Sequence, residues 1–305
     1  MSREQGGKMA DLNAVVLPGE GTSGFCVGNG GLMLATHDSG NTWQRVPVPT
    51  DADLLGVCFR EGMPEGIAVG AGGTVLRTTD AGASWQLVNS GISGDIHDVC
   101  LPAEWTGYLV GAGGLVMRTE DRGLTWYRLA VPTAANLLAL TFPVDEEAGF
   151  AVGAEATIIK AGLGGHWFAA GSPGMIGGGE LRAVSFPQDD VVGYVAGEQG
   201  TVLKTEDGGD SWRQLDIPVP KADFSAIRFP LDTENGVCVG NAGTVIRTND
   251  GGLSWLTVYA DTNEHLLGLD FRASGETGCC CGRNGTILLT TDSGLSWVRA
   301  ESVEL

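Results

Sequence analysis

The stretch GTVLKTEDGGDSW at 200–212 sets carboxylates beside glycines and a serine, the materials of an acidic active site. It does not occur once. GTVLRTTDAGASW, GTVIRTNDGGLSW and GTILLTTDSGLSW repeat it. Its aspartate returns as Asp38, Asp80, Asp121, Asp207, Asp250 and Asp292, and a seventh copy has Gly162 there. A catalytic carboxylate is not needed six times. DxGxS suits a tight turn instead: the carboxylate accepts backbone N–H groups, as in an Asx-turn, and the glycine takes positive φ. The tryptophan that follows covers apolar surface and has an N–H to spend.

Other residues are candidates for chemistry on their own account. His97 beside Asp98 has the types of an acid–base pair, but neighbours on a strand point to opposite faces. Cys279, Cys280 and Cys281 are in the same position: thiols in a row on one strand do not converge on a metal. The seven cysteines read as small buried hydrophobes of a reducing compartment. Tyr108 and Tyr194 fall in a packing slot shared with Phe25 and Phe150, and Tyr127 and Tyr259 fall on outer strands. No phosphate loop, dinucleotide fingerprint or HExxH zinc motif is present. No catalytic residue, metal or cofactor is assigned. One column is unusual: Arg77, Arg118, Lys160, Lys204 and Arg247 place a cation at one repeat position in five consecutive copies. Either each stem packs between units with its head paired to an acid, or the five form a basic arc that docks an acidic partner.

What positions all of these is a repeat. Trp43, Trp85, Trp126, Trp167, Trp212, Trp255 and Trp297 recur every 41 to 45 residues, and Trp105 alone stands outside the series. A glycine precedes each by 14 or 15 positions: Gly28, Gly70, Gly111, Gly153, Gly197, Gly240 and Gly282. Each unit reads as four short strands. An apolar run such as LLGVCF comes first, then a strand ending in the marker glycine, a Gly-rich hairpin, a third strand, the DxGxS turn and a strand at the tryptophan. Four strands per period of about 40–45 residues predict an all-β, seven-bladed β-propeller with four antiparallel strands per blade. The blades cover approximately 11–47, 54–89, 96–130, 137–170, 181–216, 224–259 and 266–300 of one domain, with tails at 1–10 and 301–305. Blade 7 closes directly on blade 1, or residues 1–10 add an edge strand; the repeat allows both. First strands line the channel, bringing His97, Asp98, Arg182, Arg228 and Asp270 toward it. Ligands of propellers usually meet the inter-blade loops and the hairpins between second and third strands. The longest such loop, 171–180, adjoins the degenerate fourth blade and offers Met175 and Ile176 as apolar contacts.

A net charge of −19 disfavours nucleic acid and anionic membranes and suits a partner with basic patches. With no apolar stretch of spanning or secretory length, the chain is expected to be soluble and cytoplasmic, or periplasmic or lumenal if a signal was removed. The turn resembles the Asp-box of sialidases and related propellers, where it lies away from the active site. GTVLRTTDAGASW with its preceding GxAVG resembles the photosystem II stability/assembly-factor family over residues 11–300. That resemblance implies seven blades, a non-catalytic role on an assembling membrane complex, and an arginine-rich interaction surface. The expected function is an assembly factor or accessory subunit that binds protein subunits of a larger complex. The alternative is a carbohydrate- or small-ligand-binding propeller, glycosidase-like, using the central pocket.

Overall fold

The structure, a computed structural model, describes residues 9–60, 62–146, 148–162, 165–171 and 179–304. Seven antiparallel sheets follow one another along the chain, each in sequential strand order. The first strands are Leu12–Val16, Leu54–Phe59, Ile96–Cys100, Leu137–Thr141, Leu181–Ser185, Phe224–Arg228 and Leu266–Phe271. Each packs on the first strand of the next blade, and the seventh packs on the first. They therefore surround the axis of a seven-bladed propeller. Second strands such as Gly66–Gly70 are buried along their whole length, whereas fourth strands such as Leu256–Thr257 are exposed. Burial peaks at the second strands, which have a blade on each side; the first strands are half-buried where they face the channel, and the fourth strands face solvent at the rim.

Two glycines per blade are dictated by close approach. A Cβ on the marker glycine would lie 2.0 Å from the Asp53 carbonyl oxygen at Gly70 and 2.2 Å from that of Asp95 at Gly111. At the other end of the second strand, a Cβ on Gly193 would meet the Phe186 ring at 2.3 Å. That ring belongs to an aromatic seam between blades. Tyr194 stacks on Phe229 with centroids 3.7 Å apart, and Trp255 meets Phe229 edge-on. Phe25–Phe59–Trp85, Tyr108–Phe142–Trp167 and Phe150–Phe186–Trp212 repeat the seam. Each ring buried this way is worth about 1.5–3 kcal/mol, with about 0.5–1.5 kcal/mol more for the pairing.

The tail expected at 301–305 is corrected in part. Ser302–Glu304 form a fifth strand of blade 1, parallel to its fourth strand Thr42–Arg45, with Val303 opposite Trp43. Closure has two further ties. The Asn284 N–H of blade 7 donates to the Asp11 carboxylate at 3.0 Å, and Cys281 Sγ donates to the Leu12 carbonyl. The same link from a hairpin N–H to a side-chain oxygen of the next blade joins Gly30 to Asp53, Gly72 to Asp95, Gly113 to the amide of Asn136 and Gln199 to Asp223. Residues 1–8 lie outside the described residues, and Met9 packs on Gly285 rather than extending a sheet.

Candidate functional site

The DxGxS turn is built around a threonine that the sequence reading passed over. Thr78 Oγ1 donates to Asp80 Oδ1 at 2.7 Å and accepts the Gly82 N–H at 3.0 Å. Asp80 accepts the Ser84 N–H and hydroxyl. The set recurs at Thr36, Thr119, Thr205, Thr248 and Thr290 with Asp38, Asp121, Asp207, Asp250 and Asp292. The serine hydroxyl and N–H bonds, with the threonine's, hold Asp80, Asp207 and Asp250 down to about 2. Such carboxylates stay ionised and hydrogen-bonded, which is structural work. Blade 4 is one residue shorter between its marker glycine and Trp167: Ala161 stands where the count from Gly153 puts the threonine and Gly162 where the count from Trp167 puts the aspartate, and there the third and fourth strands pair on through Gly162 and His166. The indole N–H was expected to find a partner. Only Trp43 donates, to the Gly40 carbonyl, while Trp85, Trp126, Trp167, Trp212, Trp255 and Trp297 leave theirs unpaired. Those rings are positioned by packing.

The five cations of the third strands reach toward the next blade. Arg77 Nε donates to the Arg122 carbonyl at 2.7 Å, Lys160 Nζ to the Gly208 carbonyl at 2.8 Å, and Arg247 Nε to the Ser293 carbonyl at 3.0 Å. Each acceptor is the residue after the box aspartate. Arg118 meets Glu120 and, in the blade 4 loop, Glu146. Lys204 pairs with Glu206 at 2.9 Å and lies over the Tyr194 ring. Ala35 and Leu289 hold the same position in blades 1 and 7, and Leu289 packs toward Gly40 of blade 1. Met175 and Ile176 lie outside the described residues.

The channel opens at the box end into a cavity of about 360 Å³, lined among others by Cys58, Cys100, Asp98, Ser185, Arg228 and Asp270. Cys58 and Cys100 are therefore half-buried channel residues, unlike the five fully buried cysteines. Cys279 and Cys281 pack toward blade 1 and Cys280 toward blade 6, as strand alternation requires. Alternation fails at His97 and Asp98. A bulge in each first strand leaves His97 without a ladder partner, and both residues reach blade 4. His97 Nδ1 lies 2.8 Å from the Leu137 carbonyl, and Asp98 accepts the Leu140 N–H at 3.0 Å. Burial pushes Asp98 up to about 6, against the pull of two N–H groups, Arg228 and His97. Burial also raises Asp270, which accepts the Leu17 N–H across the closure and lies 3.5 Å from Arg228. Arg182 sits at the far end of its first strand and pairs with Glu180 and Glu198.

One set of residues was missed. The loops joining first and second strands surround that cavity mouth, and five expose a large apolar side chain: Met63, Trp105, Val144, Val191 and Leu231. Trp105 is 54% exposed, with the Arg122 guanidinium 3.9 Å above its ring. Their signal in the sequence was Trp105 itself, the tryptophan outside the repeat register.

A family described as photosynthesis system II assembly factor YCF48 matches residues 124–222 and 211–304. Among solved structures, YCF48 bound to D1 peptide superposes with a TM-score of 0.75 at 21% identity, covering 93% of this chain and 94% of the other. YCF48 from Cyanidioschyzon merolae gives 0.74 at 18% identity, covering 93% and 96%. A GH74 xyloglucanase from Xanthomonas campestris gives 0.75 at 14% identity, covering 95% of this chain and 54% of its own. These likenesses are of fold. No curated protein sequence matches.

Proposed function

Because the chain belongs to the photosynthesis system II assembly factor YCF48 family, we propose that it is a non-catalytic scaffold that binds a subunit of a multi-component protein assembly on a preformed surface. The observation that carries this reading is the closed ring. Every inter-blade contact is tied by packing or by hydrogen bonds, so the surface is set before a partner arrives and little ordering is lost on binding. The YCF48 neighbour bound to D1 peptide supports a polypeptide ligand. In this reading the five cations serve as inter-blade ties, because three of them are spent on carbonyls of the next blade. The free thiols of all seven cysteines suit a reducing, cytoplasmic setting.

The xyloglucanase likeness favours the rival hydrolase reading only through the fold. The two channel carboxylates, Asp98 and Asp270, already accept backbone N–H groups of neighbouring blades. Purification of the tagged protein from its native cell, with mass spectrometry, tests the scaffold reading. A protein partner recovered in stoichiometric amount is expected. Repeated recovery of the chain alone, together with glycan binding or hydrolysis, would overturn it.

A further inference from the structure

The two faces of the ring are unlike. The inter-blade loops and second-to-third-strand hairpins lie on one; the first-to-second-strand loops and the Asp-boxes lie on the other. Among the described residues, the exposed large apolar side chains of the second face are Met63, Trp105, Val144, Val191 and Leu231 on its loops and Leu124, Leu253 and Leu295 on its boxes. The remainder follow the outer strands. The repeat does not need these residues: the fold's own demand at the loop is met by the Phe or Leu that ends the first strand, such as Phe229, which is buried.

The second face is also acidic. The same loops expose Glu20, Asp189, Asp190, Glu234 and Glu276, besides Glu104, which pairs with Arg122 of the neighbouring box. Their sequence segments contain only two cations, Arg60 and Arg272. Both are engaged, Arg60 with Glu65 and Arg272 with the Ser23 carbonyl of blade 1. Apolar knobs thus alternate with exposed carboxylates around the channel mouth.

These loops are also held still. In six blades the residue after the box aspartate donates its N–H to the loop above it: Ser39 to Thr22, Ala81 to Pro64, Arg122 to Trp105, Gly208 to Val191, Gly251 to Glu234 and Ser293 to Glu276. The acceptors at Trp105 and Val191 belong to exposed apolar residues themselves. Loops are tied to neighbours too, through the Tyr108 hydroxyl to the Glu146 carbonyl and Gln188 to the Leu231 carbonyl. A rigid display of apolar groups costs stability in solution and repays it only when covered.

We propose that the Asp-box face is the docking surface for a lysine- or arginine-rich polypeptide segment that carries apolar side chains, presented by a protein partner. The apolar residues of the segment cover Met63, Trp105, Val144, Val191 and Leu231, and its cations meet the carboxylates between them. This rests on the scaffold reading and adds the face and the chemistry of the partner.

The test uses two labelled peptides of equal length and leucine content, one rich in lysine and one in glutamate, titrated by fluorescence anisotropy. The lysine peptide is expected to bind the intact chain at least tenfold more tightly than the glutamate peptide. It should lose about tenfold in a variant with Met63, Trp105, Val144, Val191 and Leu231 all changed to Ser, and nothing in Asp51→Asn/Asp216→Asn on the other face. Acrylamide quenching reports the same contact: binding should protect tryptophan fluorescence in the intact chain, and Trp105→Ser should abolish that protection. All five loop residues are exposed, so matching thermal melts of variant and parent verify the fold. Equal binding to parent and loop variant, equal loss in the Asp51/Asp216 variant, or preference for the glutamate peptide would each overturn the proposal. None of these outcomes touches the scaffold reading, which stands or falls on recovery of a partner from the native cell.

Discussion

At the residue scale the informative groups are carboxylates with opposite fates. Asp80, Asp207 and Asp250 sit in hydrogen bonds to the ionised form and titrate near 2, below the unfolded value of about 3.9. Their contribution is present above pH about 4 and is lost as pH falls through about 2, so the boxes loosen only in strong acid. Asp98 is the reverse. Its folded value, about 6, is raised by burial, so ionising it weakens the fold as pH rises from about 4 to about 6. The groups that face it are the Leu140 and Val99 N–H groups, Arg228 and His97. Carbon-detected NMR titration should find Asp98 near 6, well separated from the box aspartates. Arg228→Met should move Asp98 higher by removing the cation that favours its charge. An Asp98 titration that stays in place in that variant would show that Arg228 does not govern it. The buried threonine of each box was visible in the sequence at every copy with an aspartate and absent with it in blade 4. It was overlooked because a threonine on a strand has an ordinary explanation in β-propensity.

At the scale of the element, the blade-to-blade seam decides stability. Phe229 takes the Tyr194 ring on its face and Trp255 on its edge, and its own ring fills the space above Gly236. Phe229→Ala should cost about 3–5 kcal/mol, since the rigid strands around it cannot collapse into the gap. Tyr194→Phe keeps the stack and removes only the hydroxyl, which donates to the Thr233 or Gly251 carbonyl. It should cost about 0.5–1.5 kcal/mol. Equilibrium urea unfolding of both variants checks the ranking, and equal losses would mean that the hydroxyl tie, not the aromatic stack, holds blades 5 and 6 together. Strand number, order and the turn were legible because the tryptophan and glycine spacing is a direct imprint of blade geometry. The bulge that turns both His97 and Asp98 toward blade 4 was not. It depends on a two-to-one pairing against Val110 and Gly111 that no period-two pattern encodes. The loop residues Met63, Val144, Val191 and Leu231 were illegible for a related reason. A repeat records what folding requires at each position, and these positions are free of that requirement.

For the whole molecule the question is how a linear array of blades becomes a ring. Each blade edge left open is a template for pairing with another chain. Six of the outer strands are short and exposed, such as Tyr127–Arg128 and Val298–Arg299. Among the described residues, blade 1 is the blade whose edge is covered, by the parallel strand Ser302–Glu304, and its Trp43 is fully buried where Trp85 and Trp255 are not quite. The last residues of the chain therefore bind the first blade to the last across the rim, while Asn284 and Cys281 bind them nearer the axis. Deleting residues 301–305 should remove the Glu301 N–H bond to the Asn41 carbonyl and the strand pairing that follows it, leaving the axial ties intact. The ring should still close, with a stability loss of about 1–3 kcal/mol. Opening should then begin at the blade 1–7 seam. Hydrogen exchange resolved by peptide should show faster exchange in Thr42–Arg45 and unchanged protection in the second strands of blades 3 to 5. Faster exchange spread evenly around all seven blades would mean that the ring unfolds as one unit and that the C-terminal strand has no special part in holding it shut.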